Sequence, residues 1–242
     1  MEYTARFVKN GNIKIGNTMW SWNKLAGNGE IAGCKGTCGE HCHGCYDATN
    51  PKKSPCYVFK SYNLYGWDDS TVVKGHIRNT NVMRDNINKA FNDIRLQLNR
   101  ARKKPSAVRI HASGEIETTQ ELREWIKTAA MTPNIPFYIY TKAYEVLDEV
   151  LSSMNVNSIP INFFINVSIW HENGIAIYNK WKHLDCIRAF VYDDGYDYSK
   201  LLKINRYCPA YDKSGKLSHD LTCDKCKICF QKKAKVCGCY SH

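Results

Sequence analysis

The sequence lacks a long apolar segment. No window of its 242 residues approaches the roughly eighteen consecutive apolar side chains that a membrane-spanning helix needs. Its first residues, MEYTARFVKNGNIKIG, contain no apolar stretch of the kind found in secretion signals. We therefore expect a protein without a membrane partner that stays in a reducing cytoplasm, where clustered thiols usually bind metal and disulfides are rare.

Internal repeats and low-complexity tracts are also missing, and acidic side chains are scarce. Hydrophobic residues make up 43% and charged residues 24% of the chain, which excludes a disordered or collagen-like protein. The chain is long enough to bury a core without covalent cross-links. The 34 basic and 23 acidic residues give a net charge of +11, which would suit a nucleic acid. Because metal-bound cysteines would be thiolates and lower that excess, the charge alone does not establish a nucleic-acid partner.

Strand-like and helix-like patterns alternate along the middle of the chain. The predicted strands lie at 17–25, 107–112, 136–141, 162–170 and 187–192. One predicted helix lies within 81–103, and the others lie at 118–130, 143–154 and 174–184. Such alternation predicts an α/β protein with parallel strands, because a helix supplies the crossover that a parallel return needs. We expect an open or partial (β/α) barrel over residues 1–205 and a small, cysteine-rich, metal-binding appendage over residues 206–242.

A dense group of soft ligands, CKGTCGEHCHGCYD, occupies positions 34–47. Its C-x3-C-x2-C spacing is formed by Cys38, Cys42 and Cys45. Three thiolates on one short loop can hold three corners of a [4Fe-4S] cluster and leave the fourth iron open. His41 and His43 leave zinc open as the alternative, and Cys34 is an alternative ligand. The loop follows the first strand, where ligands of parallel α/β proteins bind.

The cysteine spacing resembles the signature of the radical S-adenosylmethionine superfamily, which lies after the first strand of a (β/α) barrel. Superfamily members usually have an aromatic residue before the third cysteine, where this chain has Gly44. A Gly-Gly-Glu-like turn after their second strand holds the amino group of S-adenosylmethionine. The corresponding turn here, in IHASGE, would be Ser113, Gly114 and Glu115. By its residues alone, this turn could also be a helix start with an acidic residue.

Three further residues are candidates for contact with S-adenosylmethionine. Lys142 ends the strand FYIYT and could meet the cosubstrate carboxylate or an anionic substrate, with a solvated lysine as the alternative. Asn166 and Ser168 alternate on one face of a later strand. In the superfamily, polar residues of that strand touch the ribose, and a fold-stabilising hydrogen bond is the alternative.

The chain also resembles a group of phage and prophage proteins, the gene product 88-like family, along most of its length. The similar blocks are WSWNKLAG, CHGCYD, RIHASGEI followed by LREWI, FYIYTK and a cysteine-rich tail after CPA. This resemblance implies a fold and a cofactor more than a reaction. For a phage-encoded protein, the expected location is the host cytoplasm.

The tail carries a second group of cysteines. Its candidate ligands are Cys208, Cys223, Cys226 and Cys229. Four cysteines complete a closed structural or auxiliary site, which could hold either zinc or a second [4Fe-4S] cluster. Cys237 and Cys239 could replace one ligand, but we leave them out because chain ends usually fray. Cys186 reads as a small core residue, and Cys56 has no assigned role.

Two hypotheses of function follow. In the first, the protein is an enzyme that reductively cleaves S-adenosylmethionine at the open [4Fe-4S] cluster and starts radical chemistry on an unknown substrate. It would then need an electron donor such as flavodoxin or ferredoxin. In the second, the cysteines hold only zinc, and the protein is a nucleic-acid or protein interaction module without catalysis. The sequence identifies no residue for chemistry on the substrate.

Overall fold

The computed structural model describes residues 4–9, 14–41, 56–170, 172–192, 202–212, 221–230 and 234–239. The strands are β1 (Trp20–Trp22), β2 (Glu30–Ile31), β3 (Cys34–Lys35), β4 (Val108–Ile110), β5 (Phe137–Thr141), β6 (Phe163–Ile169), β7 (Ile187–Tyr192), β8 (Arg206–Tyr207) and β9 (Val236–Cys239). Seven of them form one parallel sheet in the order β1-β4-β5-β6-β7-β9-β8, while β2 and β3 pair as a short antiparallel ribbon.

Helices connect the strands of the sheet. They are α1 (Tyr57–Tyr65), α2 (Thr71–Asp85), α3 (Ile87–Arg100), α4 (Thr119–Ala130), α5 (Tyr144–Ser153), α6 (Glu172–Trp181) and α7 (Cys223–Cys226). Within the described part of the chain, no helix combines the length and apolar character needed to cross a membrane.

One face of the sheet packs against helices α3 to α6. Trp125 of α4 lies at the centre of this layer, with its ring in contact with Trp22 of β1, Phe91 of α3 and Phe137 of β5. Apolar side chains at alternate positions of the strands build the main core with these helices. The sequence predicted this layer correctly because apolar residues recur at strand and helix spacing.

The opposite face of the sheet is covered by the segment before β1 and by the tail. Tyr138 and Phe164 pack there with Ile15 and Phe230. The rings of Tyr138 and Phe230 stack with their centroids 5.0 Å apart. The tail therefore lies on the face that the helices leave open.

The observed architecture confirms an α/β fold with a parallel sheet. Strands β1, β4, β5, β6 and β7 are neighbours in chain order, as expected for successive strand-helix units. Among the described strands no pairing joins β1 to β8, so closure into a barrel stays a prediction. The division at residue 205 also stays a prediction. However, β8 and β9 follow that position and belong to the same sheet as β1, because β9 pairs with β7.

The helix predicted within 81–103 is confirmed as α3, and the last turn of α2 occupies the first residues of that range. Asn86 separates α2 from α3 with a non-helical backbone conformation, φ −155° and ψ 87°. Its side chain accepts a hydrogen bond from the Lys89 N–H at 2.9 Å and so caps α3. The apolar spacing that predicted this helix begins at Ile87, which is the first residue of α3.

Candidate metal centres and the adjoining turn

Cys38 is the member of the predicted first ligand set that lies within the described residues; Cys42 and Cys45 lie outside them. The Gly27 N–H donates to Cys38 Sγ at 3.2 Å, and the Cys38 N–H donates to the Gly27 carbonyl at 2.8 Å. Cys34, the alternative ligand, is buried, and its thiol donates to Asn81 Oδ1 at 3.2 Å.

The turn after β4 is held against the residues that follow β1. Gly114 has φ +83°, and a Cβ atom there would lie 2.7 Å from Thr37 Oγ1 and 2.9 Å from Lys24 Cβ. Ser113 Oγ donates to the Lys24 carbonyl at 2.8 Å. The glycine is therefore required by both its backbone conformation and the close approach of its neighbours.

Glu115 joins three parts of the molecule. Its N–H donates to Thr37 Oγ1 at 2.9 Å, which connects the turn to the residue before Cys38. Its carboxylate accepts from Thr141 Oγ1 and from the Lys142 N–H, each at 2.8 Å, so it also holds the end of β5. A third hydrogen bond comes from the Ile116 N–H at 2.8 Å. The predicted residues Ser113, Gly114, Glu115 and Lys142 are thus brought together beside the first cysteine loop.

A buried charge network that the sequence analysis missed supports this turn. Lys24 Nζ is fully buried and lies 2.7 Å from Glu121 Oε2, while Glu121 Oε1 lies 2.9 Å from His111 Nε2. Burial would raise the pKa of Glu121, but the Lys24 charge and the hydrogen bond with His111 outweigh it and lower the pKa to about 2. His111 has φ +54° and turns its ring towards Trp125 in the helix layer. In the sequence, the sign of this network was Lys24, a lysine shortly after a strand. Its partner Glu121 is too distant in the chain for a local pattern to indicate the contact.

The remaining candidate contacts for S-adenosylmethionine are engaged within the protein. Lys142 Nζ lies 3.7 Å from the centroid of the Trp170 ring, a cation–π contact at the end of β5. Asn166 Nδ2 donates to the Ile139 carbonyl at 3.1 Å and to the Cys229 carbonyl at 3.3 Å. Asn166 is therefore placed beneath the tail. Ser168 is buried further along the same strand face.

The predicted tail ligands lie near one another on the sheet face opposite the helices. Burial raises the pKa of Cys223 to about 11 and also raises that of Cys226, and the charge of Cys208 adds to both shifts. A hydrogen bond with Cys237 lowers the pKa of Cys229, a shift that the charge of Cys208 opposes. Cys223 and Cys229 pack against the cluster that contains Tyr138 and Phe230, and Cys208 packs against Cys237 and Cys239.

Cys237 and Cys239 do not belong to a frayed end, so the reason for leaving them out was wrong. Both lie in β9 and are buried, with 3% and 0% exposure. A hydrogen bond from the Cys239 thiol lowers the pKa of Cys208 to about 6. Both cysteines are held in place because β9 pairs with β7. The short run VCGC gave little indication that it would form a strand.

No three His, Cys, Asp or Glu side chains of the described ranges are arranged to hold a metal ion. Both predicted ligand sets therefore stay predictions. The structure adds the positions of the described thiols from each of the two ligand sets. Cys38 lies beside the turn after β4, and the tail thiols lie over the sheet.

The fold defines an α/β protein built on a seven-stranded parallel sheet. A family model described as gene product 88 matches residues 3–238. The chain therefore belongs to the gene product 88 family, which confirms that part of the resemblance. The chain matches no curated protein and no solved structure.

Proposed function

We propose that this protein is a radical S-adenosylmethionine-type enzyme whose site lies between the cysteine loop and the turn after β4. The observation that carries the proposal is the hydrogen bond from the Glu115 N–H to Thr37 Oγ1 at 2.9 Å. It joins the residue preceding Cys38 to the Ser-Gly-Glu turn, two segments that are distant in sequence. Their contact is what the superfamily arrangement requires.

The residues present fit a cluster as far as they are described. Cys38 Sγ accepts a hydrogen bond from the Gly27 N–H at 3.2 Å, and its thiol is the described member of the proposed ligand set. Cys42 and Cys45 would complete the set. A [4Fe-4S] cluster held there would supply an open iron for the amino and carboxylate groups of S-adenosylmethionine and the electron that cleaves its carbon-sulfur bond.

The chain's own residues would bind and orient the cosubstrate. Glu115 supplies a carboxylate whose position is fixed by three protein donors, so a ligand ammonium would meet a preorganised acceptor. Lys142, whose backbone N–H donates to this carboxylate, would supply a cation for the cosubstrate carboxylate. Leu25, Phe59 and Tyr62 belong to an apolar cluster that also packs against Cys38 and would keep water from that side of the thiol.

The finer architecture that goes with this proposal is a partial (β/α) barrel. Neighbouring strands in chain order, with helices α3 to α6 on one face of the sheet, support it. The expected partners are an electron donor such as flavodoxin or ferredoxin and a substrate of unknown class. The expected location is the cytoplasm, that of the host if a phage encodes the protein.

Anaerobically purified protein, reduced with dithionite in the presence of S-adenosylmethionine, tests the proposal. We expect brown protein that forms 5′-deoxyadenosine, and no product from the Cys38→Ala/Cys42→Ala/Cys45→Ala variant. The matched control is Cys208→Ala/Cys223→Ala/Cys226→Ala/Cys229→Ala, which leaves the first loop intact and should retain cleavage if it folds. Colourless wild-type protein containing only zinc, without cleavage, would overturn the proposal in favour of a zinc-binding interaction module.

A further inference from the structure

Two arginines lie buried beneath the tail. Arg109 of β4 and Arg188 of β7 are 9% and 2% exposed. Within the described part of the chain, the Nε atom of each is buried and has no hydrogen-bond partner. Arginine stays charged in proteins, and an unpaired buried charge is strongly unfavourable. These guanidinium groups therefore need an anion on this face of the sheet.

The surroundings of Arg109 are aromatic residues and sulfur. Its guanidinium carbon lies 5.1 Å from the centroid of the Tyr140 ring. Tyr57, Tyr138 and Cys223 are its other electrostatic neighbours. No ion pair with a described carboxylate reaches this guanidinium. The acidic groups within reach are thus phenols and a thiol.

Arg188 has a similar environment. Its Nη1 donates to the Ile228 carbonyl at 2.9 Å, and its guanidinium carbon lies 4.7 Å from the centroid of the Phe164 ring. Among the side chains that act electrostatically on Arg188, Cys229 has the largest effect. Asp185 also acts on Arg188, but its side chain is 85% exposed and lies 3.8 Å from Lys235. Water screens such a carboxylate, so Asp185 does not neutralise the buried charge.

We propose that Cys208, Cys223, Cys226 and Cys229 bind a metal centre as four thiolates, with Arg109 and Arg188 as its buried counter-charges. Four thiolates around Zn²⁺ or around an oxidised [4Fe-4S] cluster both leave a net charge of about −2, which matches two guanidinium groups. The buried Nε atoms of Arg109 and Arg188, which have no hydrogen-bond partner among the described residues, lie on the sheet face that the tail covers. Metal binding deprotonates a thiol outright and so supplies the missing charge.

The tail is already anchored where this centre requires it. The Cys223 N–H donates to the Lys14 carbonyl at 2.8 Å, and the Cys229 carbonyl accepts from Asn166 Nδ2 at 3.3 Å. The Tyr140 hydroxyl, next to Arg109, is hydrogen-bonded to the Cys229 thiol. The ligand side chains must move to meet on a metal, while these contacts hold the backbone against the sheet. The inference does not depend on the first loop or on cleavage of S-adenosylmethionine.

Metal analysis of the full chain carrying Cys38→Ala/Cys42→Ala/Cys45→Ala isolates the tail. We expect about one zinc, or about four irons with four sulfides, per chain after anaerobic purification. Adding Arg109→Met or Arg188→Met should speed release of that metal to a chelator roughly tenfold or more, because a buried charge partner is lost. Arg109→Lys should remain closer to the parent. Arg95→Met, on the helix side of the sheet, is the matched control and should not change release.

Two results would overturn the inference. One is a parent protein that is folded by near-ultraviolet circular dichroism and holds neither zinc nor iron. The other is folded arginine variants that release metal at the parent rate. If the methionine variants do not fold, the metal content of the parent decides alone. A wild-type protein that fails to cleave S-adenosylmethionine but keeps the tail metal refutes the proposed activity and supports this centre.

Discussion

At the scale of single residues, Glu115 combines a structural contact with a candidate binding role. The sequence singled it out as the partner of a ligand ammonium. In the folded chain its carboxylate already accepts hydrogen bonds from Thr141, Lys142 and Ile116. A carboxylate can accept more than three hydrogen bonds through its two oxygens. The three hydrogen bonds within the protein therefore do not prevent Glu115 from contacting a ligand. The two roles can be measured separately.

The structural role predicts that Glu115→Gln destabilises the protein. The amide nitrogen of glutamine would replace an oxygen that faces an N–H or O–H donor, leaving that donor unsatisfied. We expect the free energy of unfolding in urea to fall by about 1–3 kcal/mol. Glu145→Gln is the control, because the Glu145 side chain is 72% exposed. Equal stability of the Glu115 variant and the wild type would contradict this interpretation.

The binding role predicts weaker affinity for S-adenosylmethionine in the same variant. Loss of a charge-assisted hydrogen bond should weaken binding roughly ten- to hundredfold. Calorimetry on reconstituted anaerobic protein measures this, with iron content as the internal control. If the folded Gln variant binds as tightly as wild type, the turn serves only as a structural connection.

His76 predicts a pH dependence of stability. Burial lowers its pKa from 6.5 to about 4, and its Nδ1 lies 2.8 Å from the Tyr62 hydroxyl. Between these pH values the unfolded chain binds a proton that the folded chain does not. The free energy of unfolding should therefore fall as pH decreases from 6.5 to 4, by roughly 3 kcal/mol from this group.

Urea unfolding at a series of pH values tests the role of His76. In His76→Gln, whose side chain does not titrate, this part of the pH dependence should disappear. His183→Gln, at an exposed position, should leave it unchanged. A His76 variant with the same slope as wild type between pH 6.5 and 4 would show that other groups are responsible.

At the scale of elements, the junction between α2 and α3 shows how one polar residue can redirect a helix. Asn86 ends α2 and caps α3 by accepting the Lys89 N–H. Asn86→Ala removes that acceptor and should lower the free energy of unfolding by about 1 kcal/mol. Asn92→Ala, at an exposed position of α3, should change it by less than about 0.5 kcal/mol. Equal effects of the two substitutions would argue against the cap.

At the scale of the whole molecule, the tail completes the central sheet. Strand β9 pairs with β7, and Phe230 stacks on Tyr138. A chain ending at residue 205 would lose both contacts and expose the buried face of the sheet. We expect it to lose its near-ultraviolet circular dichroism signal and its cooperative unfolding.

The four-cysteine tail variant provides the comparison for that truncation, since it keeps β8 and β9 but cannot bind metal through the predicted ligands. Retained cooperativity in this variant, with loss in the truncated chain, would assign the effect to the strands. A truncated chain that unfolds cooperatively with a native-like spectrum would instead establish residues 1–205 as an independent domain.

The order of the main elements could be predicted from local patterns. The runs FYIYT, FFINVSI and IRAFVY form β5, β6 and β7, and Thr118 caps α4 by accepting the Glu121 N–H. Such features depend on neighbours within a few residues, so the sequence displays them directly. The start of α3 is equally local, because Asn86 caps it through the Lys89 N–H, three residues further along the chain.

The sequence by itself determined the alternation of strands and helices, the family of the protein and the two groups of cysteines. Only the tertiary structure decided that the tail enters the main sheet, that Glu115 joins the cysteine loop to β5, and that Arg109 and Arg188 face the tail thiols. These contacts connect residues far apart in the chain, and their free energies depend on burial. Periodicity reports which side of an element is buried, whereas the partner of a buried charge is fixed by packing alone.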